Sequence, residues 1–370
     1  MKNSGRRKKL NVGILCGGKS AEHEVSLQSA KNIYEAIDRE KFNPVLIGID
    51  KDGGWLYSPH IKAGDFIDNT DDPKKISLSS NSSKAILPAK SGGFLSVEGS
   101  PAPVELDVIF PILHGPFGED GTVQGLLKLA GIPFVGPGVL GSAVGMDKDV
   151  MKRLLQNSGI PIGKYITLRD YETIPSFSEI CAVLGKPVFV KPANMGSSVG
   201  INRVFDEDTF RRALNEAFMY DTKIILEENI PGREIECSVL GNENPKASLP
   251  GEVKALLDFY SYEAKYIDAD GATLEIPAKL SDEKIREIQK LAVKTFLTLE
   301  CQGLSRVDFF LKEDGTVLVN EINTMPGFTK ISMYPKLWEA TGISYTNLIT
   351  ELIELAIARY AKEQKLKTSL

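Results

Sequence analysis

Three segments of this chain carry residue types that can do chemistry. Leu304 to Leu311 and Thr316 to Asn323 read as two strands joined at Asp314-Gly315, a dipeptide suited to a two-residue type I′ hairpin turn. That turn sets Glu313 opposite Thr316, Asp308 opposite Glu321 and Arg306 opposite Asn323. Strand side chains alternate, so Arg306, Asp308, Glu321 and Asn323 share one face, with opposed Cβ atoms about 4.5–5.5 Å apart. Two opposed carboxylates repel unless a cation sits between them. An Asp, Glu and Asn set of hard oxygens suits Mg²⁺ brought in on nucleotide phosphates, and a guanidinium one pair further along can neutralise a developing oxyanion. A solvent-exposed face would fit the same polar residues, but Phe310 and Val319 fall on it too and are out of place in open solvent.

The second segment is Lys191-Pro192-Ala193-Asn194-Met195-Gly196-Ser197-Ser198-Val199-Gly200. Between two strands it can fold over a nucleotide, offering backbone N–H groups and hydroxyls to phosphate with Lys191 as a fixed cation; a generic Gly/Ser hairpin is the alternative. The third, Tyr260-Ser261-Tyr262-Glu263-Ala264-Lys265-Tyr266, has no clean strand or helix period and by itself reads as a surface loop. Two motif matches are decoys. Gly13 to Ser20 fits G-x-x-x-x-G-K-S letter for letter, yet Gly13, Ile14 and Leu15 lie in a predicted strand and leave too little loop to wrap an anion. Gly136-Pro137-Gly138-Val139-Leu140-Gly141 fits the dinucleotide fingerprint but lacks an acid about twenty residues on, and reads better as a domain-joining turn.

The elements that must position these groups follow from apolar periodicity. Leu10 to Cys16 and Pro44 to Asp50 read as buried strands around a helix with apolar positions Leu27, Ala30, Ile33 and Ile37, the opening of an α/β unit. Lys51 to Pro103 is rich in Ser, Gly, Pro, Asn and Asp, which predicts a decorated insertion of short strands and loops. Leu106 to Leu113 and Ile132 to Val135 resume the strand pattern around a helix at Thr122 to Ala130. Further on, a helix at Lys148 to Asn157, strands at Pro187 to Lys191 and Val199 to Val204, a helix at Thr209 to Ala217 and a strand at Lys223 to Glu228 form an α+β unit that exits at Pro231-Gly232. A helix from Asp282 to Leu299 capped by Ser281 and a C-terminal helix complete the chain.

Composition narrows the class. With 370 residues, 42% apolar, 25% charged and a net charge of -5, the chain can pack two or three globular domains. The acidic balance gives no nucleic-acid footprint, and Arg6-Arg7-Lys8-Lys9 reads as a solvated tail. No apolar run reaches the ~20 residues of a membrane span and no signal-like segment follows the basic start, so a cytoplasmic protein without membrane partners is expected. Cys16, Cys181, Cys237 and Cys301 lie far apart, and His23, His60 and His114 show no zinc spacing.

Seven ordered segments, Gly17 to Ser26, His114 to Gly121, Met146-Asp147-Lys148, Lys191 to Gly200, Glu263 to Tyr266, Arg306-Val307-Asp308 and Glu321 to Gly327, together resemble the D-alanine–D-alanine ligase family of the ATP-grasp superfamily, over nearly the whole chain. The resemblance implies an α/β (α+β) fold of three domains, near 1 to 138 (Rossmann-like, with a parallel sheet), 139 to 227 and 228 to 370, with ATP between the last two. It implies that Lys148, Lys191 and Lys265 hold phosphates, that the loop with Ser198 closes over them, that Glu227 and the backbone of Glu228 and Ile230 read adenine, and that Glu234 reads ribose. Asp308, Glu321 and Asn323 would hold two Mg²⁺ ions, with Mn²⁺ as a substitute. Glu22 would orient the ammonium of the first D-alanine in a triad with Ser197 and Tyr266, with Val25 and His114 at the substrate site. Arg306 and the Gly327 N–H would form an oxyanion hole, and Ser332 with the Met333 backbone would bind the second carboxylate. The resemblance further implies a homodimer that uses D-alanine and ATP. An acyl phosphate made from the first D-alanine and attacked by the amine of the second accounts for so many cations, because both steps build negative charge. Alternatives are another carboxylate–amine ligase, a D-alanine–D-lactate ligase, and a P-loop NTPase that uses Lys19 and Ser20.

Overall fold

The computed structural model describes residues 8–57, 67, 76–79, 82–88, 91–255, 272–329 and 331–367. β1 (Leu10–Gly17) is apolar on both faces because it is central: β2 (Phe42–Ile49) and β7 (Val108–Pro111) both pair with it in parallel. It turns into α1 (His23–Ala36) at Gly17, where φ is 89° and a Cβ would lie 2.2 Å from the Ile49 carbonyl oxygen, so only glycine fits. The insertion adds β3 (Trp55–Tyr57), β4 (Ser83–Ile86), β5 (Phe94–Val97) and β6 (Val104–Glu105), all antiparallel, giving the order β6-β5-β4-β3-β2-β1-β7. The sheet is therefore parallel only across β2-β1-β7, and Ile132 to Val135 contributes an isolated parallel bridge, Ile109 to Phe134, instead of a full strand. Short, polar-flanked segments extend an edge by hairpins because they lack the residues for crossover helices.

After α2 (Thr122–Ala130), the expected domain-joining turn continues into α3 (Val139–Met146), a helix that Gly136 to Gly141 alone did not signal. Its Gly141 and Gly145 face close neighbours: a Cβ there would meet the Glu300 oxygen at 2.6 Å and the Thr324 methyl at 2.5 Å. Glycine serves here for helix packing. α4 (Lys148–Asn157) follows, capped by Asp147. A second, antiparallel sheet has the order β10-β9-β11-β8, from β8 (Tyr165–Arg169), β9 (Val188–Pro192), β10 (Asn202–Val204) and β11 (Lys223–Glu228). α5 (Phe177–Leu184) and α6 (Glu207–Ala217), each opened by a capping box, share a core with it that includes Phe177, Phe210, Val190 and Leu226.

The third sheet runs β15-β14-β12-β16-β17, from β12 (Arg233–Gly241), β14 (Gly251–Ala255), β15 (Ala272–Glu275), β16 (Gly303–Leu311) and β17 (Val317–Asn323), with β13 (Lys246–Ala247) paired to β12. α7 (Asp282–Thr298) covers one face through Ile288, Ala292 and Phe296, which leaves the other face for the site. α8 (Met333–Ala340) and α9 (Tyr345–Glu363) close the chain. α9 packs back on the first sheet, so Val12, Ile14 and Phe110 share one core with Leu348, Ile349 and Leu352. Each such buried side chain contributes about 1.5–3 kcal/mol. Arg359 seals the joint by donating to the Phe134 and Gly136 carbonyls, and its burial lowers its pKa to about 10. Among the described residues no helix is long and apolar enough to cross a membrane.

Candidate active site

β12, β16 and β17 lay a polar strip on the open face of the third sheet. The expected pairs form, Arg306 opposite Asn323 and Asp308 opposite Glu321, and β12 adds Glu236 opposite Asp308. The turn differs from the expectation. Lys312 N donates to Thr316 O at 2.9 Å, so Glu313, Asp314 and Gly315 are the loop. Gly315 has φ 83° but Asp314 is not left-handed, whereas a type I′ turn needs both. The one-residue slip is cancelled by a bulge: Phe309 faces Val319 while Asp308 faces Glu321, leaving Asn320 as the extra residue. Val319 consequently packs with Phe309 in the core beneath the strip, each 1% exposed, and does not share the face of Phe310.

Arg306 balances the strip. Its Nε lies 2.7 Å from Asp308 Oδ1 and 2.8 Å from Glu236 Oε2, a terminal nitrogen donates to Asp308 Oδ2 at 2.8 Å, and Asn323 Nδ2 donates to the same oxygen at 3.0 Å. Among the described residues no three His, Cys, Asp or Glu side chains are clustered tightly enough to hold a metal ion alone. Two carboxylates and one amide oxygen fit a hard cation that brings its remaining oxygen ligands from phosphate and water, which is how Mg²⁺ is commonly bound. Sequence reasoning missed Glu236; the Glu234-Ile235-Glu236 alternation would have placed it once β12 was recognised as a strand.

A second wall comes from β9, β11 and α4. The Glu227 carboxylate accepts Lys191 Nζ at 2.5 Å on one oxygen and Lys152 Nζ at 2.8 Å on the other. Burial opposes its charge, but the two ammonium groups outweigh burial and hold the carboxyl well below the usual range. Lys191 shows the converse: burial works against its charge, and the Glu227 carboxylate more than offsets that, so its pKa is raised. Lys152 was also missed, though it stands four residues after Lys148 on one helix face. Lys148 Nζ donates to Met195 O at 2.6 Å and lies 3.7 Å from Glu321, which joins this wall to the strip. The loop after β9 contains two successive non-glycine left-handed residues, Ser197 (φ 51°) and Ser198 (φ 63°), a conformation associated with functional loops. Lys191, Ser198, Glu227, Glu228, Ile230 and Glu234 line one cavity of about 650 Å³.

The N-terminal domain supplies the third wall. Glu22, at the start of α1, accepts a short hydrogen bond from the Ser197 hydroxyl, so the loop contacts a residue far away in sequence. His114 is buried; its Nδ1 lies 3.0 Å from Met325 O and must be the donor, because a carbonyl only accepts. Desolvation lowers its pKa and keeps the ring neutral. Glu119 accepts from Gly115 N at 2.7 Å and Met325 N at 3.1 Å; burial and then the nearby Glu22 charge push its pKa up to about 8. Gly327 approaches so closely that a Cβ would lie 2.9 Å from Ser332 Oγ. Ser332 precedes Met333 at the start of α8 without capping it; its hydroxyl accepts from Thr329 N at 3.0 Å. The first N–H groups of α8 are then available to an anion. Glu22, His114, Arg306, Asp308, Gly327 and Ser332 line a second cavity of about 510 Å³, which shares Lys148, Ser197 and Glu321 with the first.

Most of the expected site residues thus converge on two adjoining cavities. Val25 does not line either; it is buried in the first turn of α1, 8% exposed. Lys265 and Tyr266 lie outside the described residues. The P-loop reading fails on geometry, because Gly13 to Gly17 belong to β1 and the exposed Lys19 packs along Gly53, away from both cavities.

Known proteins resemble the chain over nearly its whole length. The family model "D-ala D-ala ligase N-terminus" matches residues 11–137 and "D-ala D-ala ligase C-terminus" residues 154–354. The chain is 55% identical to a D-alanine–D-alanine ligase of Shouchella clausii over 98% of both chains. It is 53% identical to D-alanine–D-alanine ligase A of Escherichia coli K12 over 98% of this chain and 100% of the relative. Among solved structures, a D-alanine–D-alanine ligase from Coxiella burnetii superposes with TM-score 0.83 at 38% identity, over 97% of each chain. The VanG D-Ala:D-Ser ligase from Enterococcus faecalis superposes with TM-score 0.84 at 35% identity, over 94% of this chain and 100% of that one. With both family models matched and these identities spanning nearly its whole length, the chain belongs to the D-alanine–D-alanine ligase family and has its ATP-grasp fold.

Proposed function

We propose that this ATP-dependent, ADP-forming ligase joins two D-alanine molecules into D-alanyl-D-alanine, a peptidoglycan precursor. The observation that carries the reading is the meeting of three walls: Glu22 touches the loop of Ser197, Lys148 bridges that loop to Glu321, and Arg306 lies beside Asp308. Glu22 orients the ammonium of the first D-alanine, with His114 lining the same cavity. Lys148, Lys191, Lys265 and Ser198 hold phosphates, while Glu227, Glu228 and Ile230 receive adenine and Glu234 the ribose. The first carboxylate takes the γ-phosphoryl group, and the amine of the second D-alanine displaces phosphate from the resulting acyl phosphate. Arg306 and the Gly327 N–H stabilise the oxyanion, and Ser332 with the Met333 N–H holds the second carboxylate. Asp308, Glu321 and Asn323 hold two Mg²⁺ ions, with Mn²⁺ as a substitute; the metal offsets charge on the phosphates. Tyr266 completes a triad with Glu22 and Ser197 on the strength of the family resemblance. The domains are 1–138, 139–227 and 228–370, and the working form is a cytoplasmic homodimer.

The test is ADP release with a panel of D- and L-amino acids, D-serine and D-lactate, with products identified by mass. D-Alanine-dependent ADP release with dipeptide formation is expected. ADP release indifferent to amino acids, or product formed only with D-lactate or D-serine as second substrate, would refute the reading. The D-serine arm is included because the VanG D-Ala:D-Ser ligase is among the structural neighbours.

A further inference from the structure

Lys223 opens β11 at 6% exposure, and no step of the proposed reaction uses it. Its ammonium contacts two carboxylates, Asp147 at a short distance and Asp149 at 3.3 Å. These flank Lys148 on either side in sequence. Asp147 is also the N-cap of α4, accepting from Val150 N at 3.0 Å, and Asp149 is fixed from behind by Arg153 and by Thr167 Oγ1 at 3.1 Å. A lysine and two carboxylates buried together are costly to desolvate, and an apolar contact would pack α4 on the sheet at least as well. What the charges add is direction: with Asp147 and Asp149 both turned to Lys223, Lys148 between them is turned away toward the loop, where its Nζ meets Met195 O.

The loop root is tied to the same strand end. Ala193 N donates to Lys223 O at 2.9 Å, and Ala193 O accepts from Lys148 N at 3.0 Å, so one residue is clamped between both lysines through backbone alone. Next to it Asn194 donates twice to Asp221 Oδ2, from N at 2.8 Å and Nδ2 at 2.9 Å, while Asp221 Oδ1 accepts from Lys223 N at 3.1 Å. We propose that Asp221, Lys223 and Asp147 form a positioning device that fixes the root of the 193–200 loop and the aim of Lys148 to one strand end, so that the two phosphate-facing elements are set as a unit before ATP arrives. Asp147, Asp221 and Lys223 line neither cavity, so the device reaches the D-alanine end only indirectly, through the loop whose Ser197 meets Glu22, and its larger effect falls on nucleotide. This inference rests on the reading that Lys148 and the loop hold ATP phosphates.

The experiment compares the full-length parent with Lys223→Met and Asp221→Ala. Measurements are KM for ATP, KM for D-alanine, thermal midpoint, and calorimetric affinity for a non-hydrolysable ATP analogue with Mg²⁺. Both variants are expected to raise KM for ATP and the analogue Kd at least tenfold while KM for D-alanine rises by a clearly smaller factor. If Lys223→Met fails to fold because Asp147 loses its counter-charge, Asp221→Ala decides, since it frees only Asn194 and the Lys223 N–H. Unchanged analogue affinity in Asp221→Ala, or equal rises in both KM values, would overturn the device. Failure of the underlying reading looks different: the parent itself would show no D-alanine-dependent ADP release.

Discussion

Replacing Glu227 by glutamine tests whether two buried lysines depend on one carboxylate. The side chains of Lys152 and Lys191 are 3% and 14% exposed, and both pair with Glu227. Glutamine is nearly the same size, but it carries no charge, and one of its two ends is an NH₂ that must point at an ammonium. Removing one partner of a buried pair costs about 3–5 kcal/mol, because the remaining charge is left uncompensated. With two cations orphaned, the upper half of that range is expected for the free protein at neutral pH. ATP should shrink the deficit, since its phosphates give Lys191 a new counter-charge. The pH dependence has a fixed sign. The Glu227 carboxyl is held below its ordinary 4.5 in the fold, so its contribution is fully present above that pH and is lost as pH falls toward the folded value. The gap between parent and Glu227→Gln must therefore narrow in acid. Urea denaturation followed by the fluorescence of Trp338, which is 1% exposed, reads this with and without Mg-ATP. A neutral-pH deficit below about 1 kcal/mol, or a gap that widens on acidification, would refute the argument.

Lys19→Ala is expected to leave nucleotide affinity within a few-fold while Lys191→Ala weakens it tenfold or more, about 1.4 kcal/mol, by calorimetry with an ATP analogue; the reverse ranking would restore the P-loop reading. Glu119, raised to about 8, favours the protonated form in the fold, so its stabilisation is complete below about pH 4.5 and lost as pH rises through 8. Glu119→Gln should flatten that fall in urea midpoints between those values, and should lower stability by about 1–3 kcal/mol in acid because Gly115 N or Met325 N loses its acceptor; a slope equal to the parent's contradicts it. Asp308→Asn removes one carboxylate from the proposed metal set and should raise the Mg²⁺ concentration for half-maximal ADP release at least tenfold, with an unchanged Mg²⁺ profile as the contrary result.

Much of the site was legible because its chemistry follows side-chain alternation and short loops. Arg306, Asp308, Glu321 and Asn323 could be paired from one turn dipeptide, and the Lys191 loop announced itself by glycines and serines between strands. What escaped depends on partners distant in sequence. Glu119, Lys152 and Lys223 look like surface charges in a sequence; each is buried in the fold because a group from another element meets it, Met325 N, Glu227 and Asp147 respectively. β12 and α3 escaped for a different reason: Arg233 to Gly241 mixes charge into a central strand whose charged side faces the site, and Val139 to Met146 carries two glycines that helix propensity disfavours.

The hairpin shows why a partly wrong derivation still found the right pairs. A two-residue turn and a three-residue turn differ by one position, and in an undisturbed ladder that slip would set Asp308 opposite Asn320 and turn Glu321 and Asn323 away from Arg306. The bulge at Asn320 removes the slip just before the polar pairs begin. On the loop side of the bulge the register serves the core, pairing Phe309 with Val319 and Leu311 with Val317; beyond it the register serves the strip. A strand that must pack apolar residues under α7 and then present oxygens on its open face needs the two halves in different phase. The bulge supplies that change at the cost of one unpaired residue. Deleting Asn320 should therefore turn the bulge into a regular ladder in which Val319 still faces Phe309 and Glu321 and Asn323 still face Asp308 and Arg306, so that a folded deletion variant that has lost D-alanine- and Mg²⁺-dependent ADP release would refute this account of the bulge.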